Sequence, residues 1–149
     1  MNSVFFDTSV LFAGAYSETG AARDLLKLAI QKRIHVILSQ DVLTEIERNL
    51  ERKAPTKLAV FKQLLTLIEP EIVDSPAKES VWAIEQYVAR KDAPIIAAAI
   101  AAQPDYFVTY DRKDLLDKPE VALLSRLKIV TPDVVVKIIS EQDSNESAN

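Results

Sequence analysis

Four acidic residues stand where strand-like runs hand over to helix-like runs: Asp7, Glu45, Asp92 and Asp111. Asp7 closes the apolar run in VFFDTSVLFA, and Glu45 lies in the early turns after HVIL. Asp92 opens KDAPIIAAAIAA, and Asp111 follows YFVT. In a parallel sheet every strand ends at the same edge, so alternation of strand and helix brings these carboxylates together there. Converging carboxylates repel one another, raise one another's pKa and need a cation among them. The chain has no Cys and a single His, His35, so the donors are oxygens and the ion is a hard one, Mg²⁺ or Mn²⁺. Such ions keep waters and recruit phosphates. The chemistry this implies is metal-dependent phosphoryl or phosphodiester transfer.

The elements that must position these residues follow from the short apolar runs. Strands are read at Ser3–Phe6, His35–Leu38, Glu71–Val73, Tyr106–Thr109 and Lys128–Val130. VFF, VIL and YFV are continuously apolar, as in a sheet covered on both faces. Helices are read at Ala21–Gln31, Gln40–Lys53, Pro55–Ile68, Lys78–Val88, Ala93–Ala102 and Pro132–Glu141, with short helical turns in Lys113–Leu124. Ser39 and Asp92 stand where helix caps belong, and Pro132 opens the last helix. Right-handed crossovers then place helices on both faces of the sheet. Taken singly, each Asp also has a plain capping or turn explanation, and Glu45 has Arg48 and Asn49 as neighbours one turn on. Joint placement at one edge is what marks the group as a site.

The bulk numbers bound the rest. One domain over residues 1–141 suits a chain of 149 residues, with 142–149 as a polar tail expected to fray. Basic and acidic side chains number 18 and 22, for a net charge of −4, so any nucleic-acid contact must use local basic patches. The lack of Cys and the single His exclude a Cys/His structural zinc site. Neither a secretory leader nor a membrane span is legible, which leaves the cytoplasm as the expected location.

The stretches FFDTSVLFA, LSQDVLTEIERNL and KDAPIIAAAIAAQPDYFVTYDRKDLL, in this order and spacing, resemble the PIN-domain family, metal-dependent ribonucleases that include VapC-type toxins. The resemblance spans roughly residues 3–135. It implies an α/β fold, a three-layer α/β/α sandwich on a parallel sheet of order 3-2-1-4-5. It implies that Asp7, Glu45, Asp92 and Asp111 are catalytic metal ligands and that Ser9 and Thr109 are hydroxyl supports. Asp114 would be an extra ligand or a partner to one. The implied activity is Mg²⁺- or Mn²⁺-dependent endoribonuclease cleavage of RNA by activated water, as the toxin of a toxin–antitoxin pair with an antitoxin protein as partner. Tyr110 departs from the family pattern, in which Gly or a polar residue is common, and is expected to narrow the site mouth. Two other readings are a PIN-like module that binds RNA or protein without cutting, and a small phosphatase with Asp7 as nucleophile. Ser9, standing where the phosphatase pattern has a second acid, counts against the latter.

Arg90, Lys91, Arg112 and Lys113 flank Asp92 and Asp111, which suits an approaching phosphate backbone. Arg48, Arg52, Lys53 and Lys57 form a second basic group. The helix from Pro55 carries a core stripe of Leu58, Phe61, Leu64, Leu65 and Ile68. Val60 and Leu67 lie off that stripe, which points to a homodimer or antitoxin surface. Trp82 and Tyr87 read as packing residues, His35 as structural, and Gly14 and Gly20 as helix punctuation.

Overall fold

Val4, Phe5 and Phe6 of the first strand, β1 (Ser3–Phe6), are completely shielded from solvent in the computed structural model, which describes residues 1–148. Such burial requires neighbours on both edges and cover on both faces. The neighbours are β2 (His35–Ser39) and β4 (Tyr106–Val108), flanked in turn by β3 (Glu71–Val73) and β5 (Ile129–Val130). All pairings are parallel, and the order is β3-β2-β1-β4-β5. Phe5 is in register with Ile37 on one side and Phe107 on the other. The Phe5 and Phe107 rings stack at 5.5 Å. Strand order reverses at β1, which opens a crevice beside its C-terminal end. The expected architecture and strand order are the observed ones.

Helices α2 (Ala21–Ile30), α3 (Gln40–Lys53) and α4 (Leu58–Ile68) lie where apolar spacing puts them, with a short 3₁₀ turn at Pro55–Lys57 before α4, and α6 (Ala93–Ala102) lies where its Ala-rich run after Asp92 puts it. α2 packs on α4, and α6 packs on α3 and β2. Ser39 is fully buried, and its hydroxyl accepts a hydrogen bond from the Val42 amide at 3.2 Å, capping α3. Ser39→Ala is expected to cost about 1 kcal/mol. That is a fall in Tm of roughly 2–4 °C for a domain of this size. An unchanged melting curve would rule out that contribution.

One helix escapes the sequence pattern. α1 (Thr8–Tyr16) follows β1 directly; its buried residues Thr8, Val10, Leu11, Gly14 and Ala15 share one side, but Phe12, Ala13 and Tyr16 on the other side are apolar too, so no apolar stripe signals a helix. Gly14 is therefore mid-helix and not a punctuation mark. A Cβ there would stand 2.4 Å from Leu26 Cδ1, and its absence lets α1 and α2 pack closely. Gly20 does punctuate, at φ 103° before α2.

Other boundaries differ for local reasons. α5 (Lys78–Ile84) ends short of Val88, and Trp82, expected to pack, is 61% exposed, while Tyr87 does pack against the core. A π-type turn (Arg112–Leu116) and α7 (Pro119–Ser125) fill the segment of expected short turns. α8 (Pro132–Ala148) packs on α2 and runs beyond Glu141. No Gly or Pro interrupts it past Pro132, and the turn at 142–143 is tied down by an Asn2–Gln142 hydrogen bond and an Arg33–Asp143 ion pair. Among the described residues no helix is long and apolar enough to cross a membrane.

Candidate metal centre

A cleft of about 340 Å³ opens at the C-terminal edge of the sheet and is lined by Asp7, Glu45, Asp92 and Asp111. Four residues from four separate segments thus share one wall. Asp7 is carried there by β1, Glu45 by the second turn of α3, Asp92 by the start of α6, and Asp111 by the turn after β4. Asp7 and Asp92 occupy helix N-cap positions, yet neither side chain makes a capping hydrogen bond. Their carboxylates are left for the cleft. Only Asp111 caps, its Oδ1 accepting from the Asp114 amide at 3.0 Å while it also lines the cleft.

Asp7 is held by a hydroxyl network. Thr109 Oγ1 donates to Asp7 Oδ2 at 2.7 Å, and Ser9 Oγ donates to the same oxygen at 2.9 Å. Each hydroxyl then accepts a backbone amide, Thr109 from Asp111 at 3.0 Å and Ser9 from Tyr110 at 3.1 Å. One oxygen of Asp7 is thereby fixed to the segment that carries Asp111, and the carboxylate as a whole lines the cleft. The Tyr110 ring does not line the cleft. Its hydroxyl is influenced by Ala22 and Asp133, so the expected narrowing of the mouth is not seen.

The closest grouping of acidic ligand atoms adds a residue. Oxygens of Asp92, Asp111 and Asp114 lie within 4.8 Å of one another. Asp7 and Glu45 face the same cleft from its other sides. At the centre of the trio is a cation supplied by the chain. Lys91 Nζ stands 3.1 Å from Asp92, 3.4 Å from Asp111 and 3.0 Å from Asp114.

Burial raises the Asp7 carboxyl above its usual range, outweighing the hydrogen bonds from Thr109 and Ser9. Glu45 is raised by burial and by the charge of Asp7. Asp92 is raised by burial, against the lowering effect of Lys91. Asp114, hydrogen-bonded by Lys91, is lowered. Burial would lower the Lys91 ammonium, but hydrogen bonds to Asp114 and Asp92 and the charges of Asp92 and Asp111 together hold it above its ordinary value.

These shifts give a stability prediction. Acids with a raised folded pKa bind protons more tightly in the native state. Metal-free protein is therefore expected to lose stability as pH rises from the usual carboxylate range through the raised values of Asp7, Glu45 and Asp92, and to stay less stable above them. Asp114 acts in the opposite sense, losing its contribution as pH falls through its lowered value, and as one group it offsets only part of the effect of the other three. Thermal melts in EDTA should show a higher Tm at pH 5 than at pH 7.5, and Mg²⁺ should restore Tm at pH 7.5. A pH-independent Tm with no response to Mg²⁺ would contradict this.

The donors fit a divalent ion on two further grounds. They are all oxygens. The Thr8 hydroxyl, buried without a hydrogen-bond partner, lines the cleft among them.

The basic residues are distributed differently from expectation. Of Arg90, Lys91, Arg112 and Lys113, only Lys91 reaches the cleft. Arg90 turns to Glu85 and Arg112 to Asp117, both at 3.9 Å, and Lys113 is exposed. From the other basic group, Lys53 lines the main cleft, and Arg48 lines a neighbouring one that shares Glu45 and Lys91. The sequence held a signal for this, because Glu45, Asn49 and Lys53 recur every four residues along one face of α3. Phe12, one turn beyond Thr8, also lines the cleft under the Lys53 ammonium, 5.8 Å from the ring centroid. It was hidden because α1 was not legible as a helix. His35 stands at the opposite end of its strand, paired with Glu71 at 3.4 Å.

Comparison with known proteins agrees with this geometry. Two solved structures share the fold. One is a chain of VapBC2 from Rickettsia felis bound to a DNA fragment from their promoter, with TM-score 0.62, 20% identity, and coverage of 87% of this chain and 98% of that one. The other is PAE2754 from Pyrobaculum aerophilum, with TM-score 0.61, 17% identity, and coverage of 94% and 90%. Among curated proteins no sequence matches. Residues 3–113 match the sequence family described as PIN domain, and the chain belongs to that family.

Proposed function

We propose that this protein is a Mg²⁺- or Mn²⁺-dependent endoribonuclease. The observation that carries the reading is the convergence of Asp7, Glu45, Asp92 and Asp111 on one cleft at the point where strand order reverses. Asp92, Asp111 and Asp114, with Asp7 and Glu45 facing them, would hold the ion. When bound, it supplies charge neutralisation and an activated water for in-line displacement at phosphorus. The chain's own residues do the rest. Thr109 and Ser9 fix one oxygen of Asp7 and so hold its carboxylate in the cleft wall. Lys53 and Asn49 on α3 are placed to meet the phosphodiester backbone, and Phe12 forms an apolar wall beside them.

The test is incubation of purified protein with single-stranded RNA and Mn²⁺, followed by sequencing of the product ends. Cleavage that EDTA abolishes is expected. Intact RNA with Mn²⁺ demonstrably bound would reject the nuclease reading. It would favour a module that binds RNA or protein without cutting, for which the ammonium of Lys91 within the acids is the supporting observation.

A toxin role with an antitoxin partner is part of the proposal, supported by family membership and by the likeness to a chain of a VapBC2 complex. Leu67, 55% exposed on α4, and Val60 beside it offer an apolar surface for that partner or for a second copy of the chain. A cytoplasmic setting fits this role.

A further inference from the structure

Lys91 Nζ makes three carboxylate contacts of 3.0–3.4 Å, to Asp92, Asp111 and Asp114, while its side chain remains 63% exposed. These are the same three residues whose oxygens come close enough to ligate one ion. An ammonium and a divalent cation cannot share that space, because like charges a few ångströms apart repel strongly where water is partly excluded. The three carboxylates are only 16–22% exposed, but the lysine stem lies on the solvent side of them, so its flexible chain can swing outward without disturbing the acids. Lys91 also borders both clefts, the main one and the neighbouring one with Arg48. A displaced ammonium therefore stays beside the bound ion and faces either channel.

We propose that Lys91 is a built-in counter-ion of the metal centre. Its ammonium occupies the acid trio until a divalent ion displaces it, and the freed side chain then positions a phosphodiester of the substrate. The proposal rests on the metal-dependent reading of this cleft. Metal binding becomes an exchange, and the apparent affinity is lowered by the fraction of molecules in which Lys91 is still in place. Lys91 acts as a positioning residue in this scheme.

The experiment compares wild type, Lys91→Ala, Lys91→Gln and the charge-retaining Lys91→Arg. Calorimetric titration of the metal-free proteins with Mn²⁺ is expected to show binding about five- to tenfold tighter in the Ala and Gln variants, with Lys91→Arg close to wild type. In ¹⁵N spectra of the lysine ammonium groups, a protected Lys91 signal should be lost as Mg²⁺ is added. At saturating Mn²⁺, Lys91→Ala should raise KM for RNA several-fold more than it lowers kcat. Equal or weaker Mn²⁺ affinity in both neutral variants would overturn the exchange, as would a failure of wild type and variants alike to bind Mn²⁺. An unchanged KM would overturn the phosphate-positioning role. If affinity rises as expected but no protein cleaves RNA, the exchange stands and the nuclease reading falls.

Discussion

Asp7→Asn is expected to abolish Mn²⁺-dependent RNA cleavage while leaving the protein folded. Asp7 Oδ2 accepts hydrogen bonds from Thr109 and Ser9, and an asparagine whose carbonyl takes that position keeps both. What changes is the other atom. A carboxylate oxygen facing the cleft becomes an amide NH₂ that cannot ligate a cation. Loss of an outer partner to a metal ligand typically costs 10–100-fold, so removal of a facing carboxylate should cost more than about 100-fold in kcat/KM. Folding should not suffer. Removing a buried charge that burial disfavours should raise the Tm of the metal-free protein at neutral pH, and the rise in Tm on adding Mg²⁺ should shrink. The measurements are cleavage rates on the same RNA and melts with and without Mg²⁺. Cleavage by Asp7→Asn at the wild-type rate would remove Asp7 from the mechanism.

Phe107→Ala should be the most damaging single truncation for the fold. The residue is fully buried on β4, paired with Phe5 across the ladder and stacked on its ring. Truncating a buried Phe costs about 3–5 kcal/mol through lost transfer energy and the cavity left behind. For a domain of this size that lowers Tm by roughly 10 °C. Leu123→Ala is the control, since Leu123 is 77% exposed, and should change stability by less than about 0.5 kcal/mol. The loss in Phe107→Ala should be one of folding and not of chemistry. Well below its Tm the variant should still bind Mn²⁺, because Thr109 and Asp111 lie beyond the cavity on the edge side of β4. Equal Tm values for Phe107→Ala and wild type would contradict the packing described.

Much of this was legible in one dimension. Strand character and helical period depend on neighbours a few residues away, so β1 to β5 and α3 could be read from local spacing. Chain direction in a parallel sheet fixed the level at which each element ends, and that placed Asp7, Glu45, Asp92 and Asp111 at one edge. The stretches around them were enough to recognise the family. α1 was not legible, because apolar residues run round the whole of its nine-residue length, on its half-exposed side as well as its buried one, and leave no periodic trace. With it went Thr8 and Phe12 as cleft residues.

The sequence by itself thus determined the family, the sheet order and the four acids at the crevice. The tertiary structure alone decided which side chains share the space between them. Lys91 meets Asp114 across 23 positions of chain, and Lys53 comes to lie over Phe12 across 41. No local pattern records such meetings. They follow from the turn before α6 and the turn after β4 ending at the same sheet edge, and from α3 packing on α1. The physical reason is that local spacing fixes the direction of an element. The side chains it meets are fixed by packing against segments distant in the chain.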